Sequence, residues 1–71
     1  MGEKTRDLAE FNMSGKTVLV ELNHPVVEGT PPTVHIQTDT IRFECSLGEF
    51  FTLASAILVA EKNLKIIKGL E

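Results

Sequence analysis

The sequence predicts an α+β fold. An antiparallel sheet of three to four strands, in β-β-β-β-α order, is followed by one long C-terminal helix packed on one face. Three observations carry this expectation. The segments Lys16–Leu22, Thr33–Gln37 and Arg42–Cys45 are rich in β-branched residues or alternate apolar with polar side chains. That alternation stops at Cys45-Ser46-Leu47-Gly48-Glu49-Phe50, where a helix-start signal appears. From Phe50 onward apolar residues recur at helical spacing.

Residues 1–7 are polar and are expected to fray. Leu8–Met13 reads as a strand, with a short helix over Thr5–Phe11 as the competing reading. The strand is favoured because a two-residue turn at Ser14-Gly15 sets Phe11 opposite Val18 and Ala9 opposite Val20, all on one face. Lys16–Leu22 forms the second strand. Residues 23–32 hold three prolines and a glycine, which exclude a helix or a central strand and predict a long loop. Val26 and Val27 are more apolar than a solvated loop requires, so they are candidates to pack beneath it or to meet a partner.

The next two strands form a hairpin with two candidate registers. A turn at Thr38-Asp39 pairs Ile36 with Ile41 and Val34 with Phe43. A turn at Asp39-Thr40 pairs Ile36 with Phe43 and Val34 with Cys45. Because side chains alternate with a period of two, either register leaves His35, Gln37, Arg42 and Glu44 together on the opposite, outer face.

Ser46 and Glu49 form a capping box, in which each side chain satisfies a backbone N–H of the other. Cys45 and Phe50 occupy the hydrophobic-staple positions flanking it. Gly69 is placed to close the helix, and Lys62, Lys65 and Lys68 suit the negative end of its dipole. These signals predict a helix over Leu47–Lys68.

On that helix Phe50, Leu53, Ile57, Ala60, Leu64 and Ile67 make the stripe expected to sit on the sheet. Phe51 and Leu58 fall to one side, and Val59 and Ile66 almost opposite. No charge occurs from Phe50 to Ala60. A helix apolar nearly all round is covered on more than one side. Its predicted length of about 33 Å also exceeds the ~20 Å of a six-residue strand. Burying Phe51, Leu58 and Val59 is worth about 1.5–3 kcal/mol each. The expected cover is a second copy of the chain; the alternative is an N-terminal segment folded back over that side.

Size points the same way. Seventy-one residues make one domain, and a single core of this size supplies only about 3–5 kcal/mol. Cys45 is the sole cysteine, which excludes an internal disulfide and a multi-cysteine metal site, and His24 and His35 are far apart in sequence. Association is the remaining way to stabilise the fold, so a homodimer is expected, with no metal and no cofactor.

The N-terminal residues lack the apolar run of a signal peptide, and Arg6 breaks the myristoylation pattern. The stretch from Phe50 to Ala60 is too short to span a bilayer. Asn12-Met13-Ser14 matches a glycosylation sequon, read here as chance, and the expected location is the cytoplasm. Leu70-Glu71 matches a common cloning remnant.

No catalytic constellation emerges. His35 opposite Arg42 or Glu44 reads as an exposed cross-strand polar pair, since no nucleophile or oxyanion donor accompanies it. His24 reads as a turn residue before Pro25, and Cys45 as a small inward hydrophobe. Asp39 suits a turn, and Glu61 with Lys65 a solvated i,i+4 pair. The four phenylalanines fall at positions assigned to the core.

The expected function is therefore a non-catalytic interaction module that self-associates through Phe51, Leu58 and Val59. His35, Gln37, Arg42 and Glu44 on the outer face and Val26 and Val27 in the loop are secondary surfaces, open to an unidentified protein partner.

The β-β-β-β-α order resembles that of Pur-type and Whirly-type modules. The resemblance covers element order over most of the chain and no residue motif, so no site residue carries over from it. It implies pairing through helices and binding of single-stranded nucleic acid on the sheet, the alternative function. Such binders stack bases on aromatic side chains and neutralise phosphates with Lys and Arg. Here the outer face offers Arg42, His35 and Lys16 against Glu21 and Glu44, and the chain carries a formal charge of −3.

Overall fold

The computed structural model describes residues 3–27, 29–67 and 69. Strands β1 (Glu3–Met13), β2 (Lys16–Pro25), β3 (Thr33–Gln37) and β4 (Arg42–Ser46) form one antiparallel sheet in sequential order. Helix α1 (Leu47–Ile66) follows.

The β1–β2 hairpin turns at Ser14 and Gly15, which both take positive φ, 54° and 78°. That is the twist a two-residue hairpin turn needs to match its strands. Phe11 pairs with Val18 and Ala9 with Val20, as the turn dictates. The strand starts earlier than the sequence suggests. Thr5, Arg6 and Asp7, expected to fray, pair with Asn23, Leu22 and Glu21. A bulge at Leu8, between Asp7 and Ala9, resets the register on the way.

The same pairing draws Asn23, His24 and Pro25 out of the expected loop and into β2. Proline is tolerated there because the β2–β3 ladder ends at Asn23 with Thr33, so Pro25 lies beyond the last β3 partner. The irregular connection shrinks to 26–32, where Val26 and Val27 are exposed.

In the β3–β4 hairpin Ile36 pairs with Phe43 and Val34 with Cys45, which selects the Asp39-Thr40 turn. Thr38 explains the choice. Its backbone N–H donates to the Ile41 carbonyl at 2.8 Å, and its Oγ1 accepts from the N–H groups of Thr40 and Ile41. Lys16 of β2 reaches Asp39 in this turn at 3.7 Å, tying the two hairpin tips together.

The capping box at the start of α1 is complete. Glu49 N–H donates to Ser46 Oγ at 3.1 Å, and Ser46 N–H donates to Glu49 Oε1 at 2.9 Å. Phe50 packs on the core beside Cys45, as the staple requires. The helix ends at Ile66, short of the expected Lys68, because Ile67 is extended and its N–H turns back to the Leu64 carbonyl. Gly69 has positive φ, 91°, one position too late to cap it directly; Lys68 and Leu70-Glu71 lie outside the described residues.

The core is thin. Val18, Val20, Val34 and Cys45 are its buried apolar side chains, with Leu22, Ile36 and Phe50 partly covered around them. Phe11 and Phe43, assigned to the core, are exposed instead, and Phe51 is exposed on the second helix face. The helix stripe fares no better: Ile57, Ala60, Leu64 and Ile67 are exposed. Among the described residues the backbone of α1 comes close only to β3 and β4, and its distal half from Val59 to Ile66 is exposed.

The dimensions express this. The radius of gyration is 15.2 Å, against about 11 Å for a compact domain of this length. The accessible surface is 5868 Å², against about 4,400 Å² for a folded monomer of this mass.

Candidate functional site

Two surfaces can do work, one apolar and one polar, on opposite faces of the sheet. The apolar one is a wedge between α1 and the inner sheet face. Phe11, Val20 and Ile36 line its sheet wall, and Phe50, Leu53 and Ile57 its helix wall, around a groove of about 410 Å³. Alternation along β1, β2 and β3 brings the first three to one face. The 3.6-residue turn brings the second three to one stripe.

Leu58 joins the helix wall. It is 64% exposed and Phe51 67%, and Val59 is exposed on the far side of the helix. None of the described residues of α1 is fully buried. The N-terminal segment leaves these side chains uncovered, because it is occupied as strand β1 along the far edge of the sheet.

The sequence identified Phe51, Leu58 and Val59 but missed the sheet side of this surface, where Phe11, Met13 and Phe43 are also exposed. All three look like core residues in a strand pattern. What exposes them is the helix position, which no local signal encodes.

The polar surface is the outer sheet face. His35, Gln37, Arg42 and Glu44 do lie together there, but His35 is not an exposed pair member. It is 3% exposed. Its central strand position places Glu21 and Glu44 directly beside it, and the Arg42 side chain lies against the ring. Arg42 Nη2 lies 2.8 Å from His35 Nδ1 and 3.2 Å from Nε2, close to both ring nitrogens. Nε2 is also 3.2 Å from Thr33 Oγ1 and 3.5 Å from Glu44 Oε2.

Gln37 Nε2 donates to Glu21 Oε1 at 2.9 Å, so a second carboxylate is engaged within the same face. Asn23, buried one step along β2, has a side-chain oxygen without a partner among the described residues. Asn12 and Thr17 bond each other at 3.1 Å near the hairpin tip.

Cys45 is buried on the inner side. Burial pushes its thiol pKa up, and the nearby carboxylates of Glu49 and Glu44 push it the same way. Its Sγ points at the Val34 carbonyl, 3.7 Å away. A thiol in that setting is a packing group and a poor nucleophile.

Among the described residues no three His, Cys, Asp or Glu side chains are placed to share a metal ion. No described helix is long and apolar enough to cross a membrane. Compared with known protein families, curated proteins and solved structures, the chain matches none.

Proposed function

We propose that this protein is a non-catalytic interaction module that self-associates through α1, with Phe51, Leu58 and Val59 in the contact. One observation carries the reading: a 20-residue helix rich in large apolar side chains has no fully buried residue among those described. Contiguous exposed apolar surface of this extent marks an interaction site. The accessible area in excess of a compact monomer is about 1,500 Å². Two copies each burying that much would form an interface of about 3,000 Å², within the range of obligate homodimers.

Light scattering on the full chain tests this, with Leu58→Glu and Phe51→Glu as variants and circular dichroism as the check on folding. The expected masses are two copies for the parent and one for each folded variant. A monomeric parent at tens of micromolar refutes the proposal.

Single-strand binding draws little support from the outer face. Alternation places Asp7, Glu10, Glu21 and Glu44 there with Arg42 as the opposing cation, and Arg42 is already engaged by His35. No phenylalanine of β1–β4 shares that face and the His35 ring is buried, so bases have no stacking platform. Titration with labelled single strands at low salt is expected to give no binding at tens of micromolar; saturable binding would instead favour the nucleic-acid reading.

A further inference from the structure

We infer that the dimer is intertwined, the distal half of each α1 lying in the groove and on the inner sheet face of the other copy. This rests on the self-association proposed above and adds which surfaces meet. Size is the first argument. The radius of gyration of one protomer, 15.2 Å, already equals the roughly 14–15 Å of a compact body with twice as many residues. A second copy that makes a compact dimer therefore fills space inside this envelope; stacking on its outside would extend it.

Chemistry is the second argument. The groove walls named above are entirely apolar, so the occupant presents apolar side chains. Among the described residues the distal helix is the exposed regular element that offers such side chains, Leu64, Ile66 and Ile67. Its natural counterpart, Phe43 on β4 and Met13 on β1, is exposed inner sheet face. β1 itself is not available to fill the groove, since it is paired with β2 along its length.

Symmetry is the third. In a two-fold interface each contact occurs twice, so one helix end crossing to the partner sheet brings the partner helix end to this one. Both the overhanging helix and the open sheet are then satisfied by a single arrangement.

An equimolar mixture of ¹³C-labelled and unlabelled full chains, refolded together, distinguishes the outcomes by isotope-filtered NOEs. Intermolecular NOEs from Leu64, Ile66 or Ile67 methyls to the Phe43 or Phe11 rings are expected. Intermolecular NOEs confined to Phe51, Leu58 and Val59 would overturn the intertwined arrangement and leave self-association standing. A monomer by light scattering would overturn both. Small-angle scattering reads the same geometry independently: a dimer radius of gyration within about 1 Å of the protomer's 15.2 Å supports intertwining, and a larger one contradicts it.

Discussion

Ile36 and Phe43 face each other across the β3–β4 ladder, on the side of the sheet that α1 approaches. Ile36 is half-buried and lines the groove, whereas Phe43 is left 52% exposed. The cover that α1 gives the inner face is therefore uneven across one cross-strand pair.

That division separates two kinds of variant. Val34→Ala, at a side chain only 1% exposed, removes two buried carbons and leaves a void, at a cost of about 2 kcal/mol. Urea denaturation should show that loss at every protein concentration. Phe43→Ser should scarcely alter the secondary structure but raise the dimer dissociation constant at least tenfold, measured by analytical ultracentrifugation.

Thermal stability should depend on concentration. If association covers the helix, the native state is favoured by mass action, and the unfolding midpoint rises as the chain is concentrated. Scans over a hundredfold range of concentration check this; an invariant midpoint would contradict a dimer that forms on folding.

Ser46 supplies half of the capping box. Ser46→Ala should cost about 1 kcal/mol, and Ser46→Asp should retain most of it because a carboxylate also accepts from the Glu49 N–H. Comparing urea midpoints of the two variants separates loss of the cap from any other effect of the site.

The buried Cys45 makes stability fall in alkali. Its folded-state pKa lies above the ordinary value of 9.0, chiefly through burial. The thiol is neutral in both states below that value, and the contribution is fully present there. Above it the unfolded chain ionises first, so stability drops as pH climbs through 9 toward the folded-state pKa. Cys45→Ala should flatten this part of the pH profile in denaturation experiments, and the native thiol should react slowly with a disulfide reagent at pH 8 until urea is added.

Much of the fold was legible because the signals were local. Ser14-Gly15 set one register, the alternation of Val34, Ile36 and Phe43 defined the inner face, and Ser46 with Glu49 started the helix. What escaped depended on partners distant in sequence. Asn23–Pro25 looks like a loop until Glu3–Asp7 pairs with Glu21–Pro25, and each segment is extended only because the other is. His35 was misread for a related reason: its burial comes from Glu21, Glu44 and Arg42 on two neighbouring strands. Phe51 and Leu58 were found because a helix without charge over eleven residues is anomalous by itself, whereas Phe43 was missed because it sits in an ordinary strand pattern.

The extra residue Leu8 has a consequence for solubility. β1 borders the sheet with its outward backbone groups unclaimed by another strand, a template on which further chains can stack. The kink at Leu8 interrupts that template midway. Deleting Leu8 would give an unbroken ladder and a straight border, and the protein should then tend toward fibres, seen as a rise in thioflavin T fluorescence on standing.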